Sequence, residues 1–252
     1  MGFSVAGRWA ITATAEFPNR VRAVASMGGY WDIERTTVAM ITGEHEWQRR
    51  QYRYSPDPYG RWIMGANLLP LLTGERFGSH DERVQVAAGL RQLAETAGQN
   101  GAMAREPVYD GLNTSLRATL PPNARPIWDL LAPLSTEPVA TQPEAHDLAR
   151  AMAGAAAATF PELISRRGID ELTVPTVLVH GKTDRLIPFT ETLRLAEHLP
   201  ATAVRRVTIT GLFGHTRSRE AQPLRNPVRY VREAQRFAET IGDLLAAVES
   251  PR

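Results

Sequence analysis

Apolar positions recur at helical spacing in the first stretch of the chain. Val5, Ala6, Trp9, Ala10 and Ala13 fall on one face of a helix predicted from Val5 to Glu16, with small residues that suit close packing on a sheet. Phe17-Pro18-Asn19 ends it, because the residue before proline is driven out of helical conformation. The run from Val21 to Met27 is mostly apolar and closes at Gly28-Gly29, the pattern of a strand buried on both faces of a parallel sheet.

From Tyr30 to about Leu172 the pattern changes to Arg, Glu and aromatic residues in proline-punctuated helical segments, such as Tyr59 to Leu72, Asp81 to Ala97, Ala124 to Ala132 and Glu144 to Thr159. The expectation is a helical insertion over residues 31–172 between two core segments, 1–30 and 173–252. A sheet pattern returns with Val174 to His180, then a helix from Phe189 to His198 with Leu193, Leu195, Ala196 and Leu199 as its apolar side. Val204 to Thr210 alternates apolar with polar residues, which suits a strand nearer the sheet edge. Asn226 as cap and Pro227 at the first helical position open a long amphipathic helix through Tyr230, Phe237, Ile241, Leu244 and Val248.

Composition narrows the class. At 252 residues with 43% hydrophobic side chains the chain can bury a sizeable core. A net charge of +2 spread along the sequence leaves no basic block for nucleic acid or an anionic membrane. The absence of cysteine rules out disulfides, a thiolate nucleophile and cysteine metal sites. No apolar run approaches the roughly 18 residues of a membrane span, and no basic-then-apolar leader opens the chain, so a cytoplasmic protein is the expectation. His45, His80 and His146 lack ligand-like spacing, and no metal is expected.

Three loops carry candidate chemistry. Gly2-Phe3-Ser4-Val5-Ala6-Gly7 places a serine among small residues just before a helix, which suits either an ordinary N-cap or a nucleophile in a tight strand-to-helix turn. Asp184, in Gly181-Lys182-Thr183-Asp184, lies past the end of a predicted parallel strand, as a turn residue or as an acid at the chemical edge of the sheet. His215, in Gly211-Leu212-Phe213-Gly214-His215, follows the next strand. In the insertion, Pro56-Asp57-Pro58-Tyr59-Gly60-Arg61-Trp62 is dense in turn, aromatic and charged residues. Tyr59, Arg61 and Trp62 are either substrate-facing cap residues or packing for the insertion's own core.

Taken together, Gly-x-Ser at a strand-to-helix turn, His-Gly-x-x-Asp-x-x-x-Pro after a strand, and Gly-His about 30 residues later resemble the second half of an α/β-hydrolase. Gly2 to Gly29 is similar to that family's elbow, helix and next strand, and Thr173 to His215 to its last two strands; the intervening stretch falls where the family inserts its variable cap. The resemblance implies an α/β fold with a parallel sheet incomplete at the N-terminus and a large helical cap. It implies Ser4 as nucleophile, His215 as general base, Asp184 as the acid that fixes the imidazole, and the Val5 N–H as one oxyanion-hole donor. The implied reaction is hydrolysis of a carboxylic ester or related acyl bond in a small-molecule substrate, with no cofactor.

Two departures qualify it. The position two after the serine is Ala6 where the family has glycine, with Gly7 one place later. The family also has roughly 100 residues before the elbow, so the expectation is a chain truncated at its N-terminus, whose elbow lacks a supporting strand and whose Val21 strand lacks a neighbour. The alternative reading is a non-catalytic remnant or ligand-binding scaffold on the same fold.

Overall fold

A computed structural model describes residues 1–100, 103–212 and 227–249. In chain order its elements are β1 (Gly2–Phe3), α1 (Val5–Glu16), β2 (Val24–Met27), α2 (Ile33–Thr42), β3 (Glu44–Trp47), β4 (Arg50–Arg53), α3 (Pro58–Leu68), α4 (His80–Asn100), α5 (Asp110–Thr119), α6 (Arg125–Leu131), α7 (Pro143–Thr159), β5 (Thr176–Gly181), α8 (Phe189–His198), β6 (Val204–Thr210) and α9 (Pro227–Glu249). They form two compact units, a core unit of Met1–Asp32 with Ser165–Arg252 and a helical unit of Ile33–Ile164.

The core unit is α/β. Its four strands lie in the order β1-β2-β5-β6, every neighbouring pair parallel. All six residues of β5 are buried, which is why its centre, Val177-Leu178-Val179, reads as apolar, while β6 alternates because among the described residues it borders only β5. Two findings depart from expectation. The Val21 strand has a neighbour on each side, because Gly2 and Phe3 pair with Ser26 and Met27. The inward face of α1 is also different: Gly7, Arg8, Ile11 and Thr14 are buried while Trp9 is 47% exposed. Gly7 decides that face, since a Cβ there would come within 2.5 Å of Ser26 Oγ and 3.2 Å of Gly29 Cα, so only the stripe holding Gly7 lets the helix lie against the sheet.

The helical unit has its own core, in which Trp128, Leu90, Leu93, Leu131, Leu148 and Met152 are fully enclosed. Its polar centre is the Trp128 indole, which donates to Asn113 Oδ1 at 2.8 Å while the Asn113 amide donates to the Ala132 carbonyl at 2.9 Å. It also holds an antiparallel hairpin, β3 with β4, which the helical pattern did not announce. The hairpin turns through Gln48 and Arg49, both at positive φ, where glycine or asparagine is the usual signal. Among the described residues no helix is long and apolar enough to cross a membrane.

Candidate active site

Because the four core strands are parallel, their carboxyl ends share one edge of the sheet, and the loops that leave β1, β2 and β5 there carry Ser4, Gly28 to Trp31 and Asp184. This is where open α/β sheets hold their chemistry.

Ser4 joins β1 to α1. Its backbone has φ 55° and ψ −135°, a conformation that glycine adopts freely and other residues only under constraint. The constraint is visible. The Ser4 N–H donates to the Met27 carbonyl at 2.8 Å and the Gly7 N–H donates to the Ser4 carbonyl at 2.9 Å, so strand and helix grip the residue from both sides. Gly2 is forced as well: a Cβ there would meet the Ala6 carbonyl oxygen at 2.1 Å and its carbon at 2.6 Å. Ala6 carries a side chain where the family has glycine, and that residue is exposed. Although Ser4 sits at the N-cap of α1, its hydroxyl makes no capping hydrogen bond, which removes the ordinary reason for a serine here. Val5 is the first helical residue, so its N–H has no acceptor within α1 and points out of the helix start, next to Ser4.

Asp184 is buried, and its carboxylate does two things. Oδ1 accepts from the Leu186 N–H at 2.9 Å and the Ile187 N–H at 3.0 Å, shaping the turn, while Oδ2 lies 3.2 Å from His180 Nε2. The turn reading and the acid reading of this residue are thus not exclusive. His180, the penultimate residue of β5, is fully enclosed; its Nε2 is 2.9 Å from the Ile187 carbonyl and its Nδ1 2.6 Å from Thr192 Oγ1. Thr192 Oγ1 also lies 3.4 Å from the Gly29 carbonyl, to which it donates. Both ring nitrogens of His180 are therefore engaged, which ties the Asp184 loop to α8 and leaves no nitrogen free for proton transfer. His215, the expected base, follows β6 and lies outside the described residues.

Tyr59, Arg61 and Trp62 open α3 in the helical unit, with Asp57 as N-cap accepting from the Tyr59 N–H at 3.0 Å. Tyr59 is half-buried. Trp62 is buried and meets the Tyr109 ring edge-on at 5.9 Å. Arg61 is buried with Nε and Nη1 lacking any hydrogen-bond partner, and desolvation lowers its pKa to about 10, against a raising influence from Asp57. Among the described residues no cluster of histidine and acidic side chains could hold a metal ion.

Two residues of the site edge went unnoticed in the sequence. Arg8, one helical turn after Ser4, is buried; its Nη2 donates to the Ser165 carbonyl at 2.7 Å and its guanidinium lies 4.5 Å from the centre of the Trp31 ring. Glu191, in the first turn of α8, is buried and accepts from the Trp31 N–H at 3.1 Å and the Asp32 N–H at 2.8 Å. Burial pushes its carboxyl pKa up, partly offset by those two backbone donors. A signal was present for Arg8, a charged residue in a helix start otherwise made of small and apolar residues; for Glu191 there was none, because its partners are backbone groups far away in sequence.

No protein-family model matches the chain, and no curated protein matches it. Solved structures that it resembles include a meta-cleavage product hydrolase from Pseudomonas fluorescens IP01, at 15% identity and a TM-score of 0.33, covering 94% of this chain and 63% of that one. Another is the 2-hydroxy-6-oxo-6-phenylhexa-2,4-dienoate hydrolase from Rhodococcus sp. strain RHA1, at 15% identity and a TM-score of 0.34, covering 95% of this chain and 62% of that one. The chain thus spans less than two thirds of either. Likeness at this level carries no argument about activity; what stands on the chain's own geometry is an α/β protein with a parallel core sheet and, inserted between its strands, a mostly helical second unit.

Proposed function

We propose that the chain is a serine hydrolase of the α/β-hydrolase type, cleaving a carboxylic ester or related acyl bond. Ser4 is the nucleophile, His215 the general base, and Asp184 the acid that orients the imidazole and stabilises its charged form. The reaction is acyl transfer to water. Ser4 Oγ attacks the acyl carbon as His215 takes its proton, the leaving group departs with that proton, and water repeats the sequence to release the acid. The Val5 N–H is one donor to the oxyanion; removal of one such donor costs about 3 kcal/mol of transition-state stabilisation. Tyr59, Arg61 and Trp62 are the helical unit's candidate substrate contacts.

The observation that carries this reading is Ser4 itself, a serine held at φ 55° between a parallel strand and a helix whose N-cap hydrogen bond it does not make. A strained backbone around an uncommitted hydroxyl is what a nucleophile at such a turn requires. The buried Asp184 on the same edge of the sheet supports it. The test is turnover of p-nitrophenyl acyl esters by the wild type, Ser4→Ala, His215→Ala and the double variant. Each single change should remove nearly all activity and the double variant should be little worse, because the two residues act as one unit. Losses that add would place one of them outside the mechanism, and a wild type inert to every ester while well folded would favour the non-catalytic scaffold.

A further inference from the structure

The chain leaves the core unit after Asp32 and returns to it at Ser165, and within the core unit both points are tied to the helix that begins at Ser4. Arg8 makes the tie. Its Nη2 holds the Ser165 carbonyl at 2.7 Å, and its guanidinium lies 4.5 Å from the Trp31 ring centre, with that of Arg166 at 4.6 Å. Trp31 in turn stacks on His198 at 4.2 Å, and the Trp31 and Asp32 N–H groups donate to Glu191. His198 and Glu191 are the two ends of α8, the helix that follows the Asp184 loop. A continuous set of contacts therefore runs from α1, through Arg8 and Trp31, to α8.

We propose that Arg8 is a positioning residue for Ser4, a clasp that fixes the nucleophile's helix against the helix behind the Asp184 loop. Three features set it apart from ordinary packing. Arg8 is fully enclosed, yet Nε and Nη1 have no partner; Nη2 donates to the Ser165 carbonyl, and among the described residues no carboxylate pairs with the guanidinium. Such a group is a poor choice for stability alone, since an apolar side chain of similar volume would fill the space without a buried charge. What arginine supplies and methionine cannot is direction: a planar group that lies against Trp31 while one nitrogen reaches a carbonyl. Finally, Arg8 lies one turn from the Ser4 hydroxyl and the Val5 N–H, and a nucleophile and its oxyanion donor must be held to about half an ångström, misplacement by 1 Å costing on the order of a hundredfold.

The kinetic consequence rests on the hydrolase reading, so the experiment separates the two. In the full chain, the rate of covalent labelling by a fluorophosphonate is measured for wild type, Arg8→Met, Arg8→Lys and Ser4→Ala, with hydrogen exchange of the Arg8 to Thr12 amides measured alongside. Arg8→Met should keep its melting temperature and its affinity for the probe, lose about tenfold or more in maximal labelling rate, and exchange the α1 amides faster while α4 in the helical unit is unchanged. Arg8→Lys should recover part of the rate through its retained charge and donor, and serves in place of Arg8→Met if that variant does not fold. Labelling and exchange at wild-type levels in both variants would overturn the clasp. If the wild type itself is not labelled at Ser4, the hydrolase reading fails and the amide exchange alone decides whether Arg8 holds the helix.

Discussion

Replacing Ser4 by glycine should stabilise the protein by about 1 kcal/mol while abolishing reactivity, because glycine takes up the backbone angles that serine holds only under strain. Ser4→Ala keeps the Cβ and should show no such gain, so the difference in melting temperature between the two variants isolates the backbone term. At Gly2 the sign reverses. A Cβ there collides with backbone atoms of Ala6, which cannot swing aside as a side chain would, and Gly2→Ala should cost about 2 kcal/mol or more in denaturant unfolding. Glu191 adds a pH dependence. Its folded pKa lies above its ordinary value of 4.5, so its contribution is fully present below that value and is lost as pH rises through the folded pKa. Glu191→Gln can still accept from Trp31 and Asp32 without a buried charge. The variant should therefore lose less stability than wild type as pH rises above about 4.5. Parallel stability curves for the two proteins would contradict this.

Whole elements were legible where one physical signal dominated. The bounds of α1 and α8 follow from the prolines that flank them, Pro18 after α1 and Pro188 and Pro200 around α8, and β5 from a run that only a fully covered strand tolerates. The inward face of α1 was not legible from hydrophobicity, because its packing is set by the absence of a side chain at Gly7 and by a buried Arg8 that no apolar count would select. The same failure recurs in α8, where Thr190, Glu191 and Thr192 are buried and Leu193 is only half-buried. Polar groups turn inward there because partners distant in sequence await them: Trp31 and Asp32 for Glu191, His180 for Thr192. Asp184 could be nominated because its loop follows a strand and Ser4 because small residues surround it before a helix, whereas β1, which supports Ser4, and the hydrogen bonds that distinguish a cap from a nucleophile appear only in three dimensions. At the start of α3, Arg61 gives an element-scale prediction. Its charge is buried with Nε and Nη1 unpaired and its pKa is lowered from 12.5 to about 10, so Arg61→Met should raise stability at neutral pH by roughly 1–3 kcal/mol. If ester hydrolysis falls in the same variant, Arg61 serves the substrate; a loss of stability would mean that the guanidinium is already satisfied in solution.

At the scale of the whole molecule, the helical unit carries a hydrophobic core separate from the two clusters of the core unit. Trp128→Ala should cost about 3–5 kcal/mol through the cavity it leaves, and by calorimetry of the full chain that loss should appear in the unfolding of the helical unit. Glycine at 89 belongs to the same argument, since a Cβ there would come within 2.6 Å of the Trp128 ring. The central claim concerns the other unit, where the parallel sheet presents a strained serine. It is tested most directly by treating the full chain with a fluorophosphonate and locating the adduct by peptide mass spectrometry. The account predicts one adduct, on Ser4, absent from Ser4→Ala and suppressed in His215→Ala. A well-folded chain left unmodified at Ser4, or labelled equally when His215 is replaced, would contradict it.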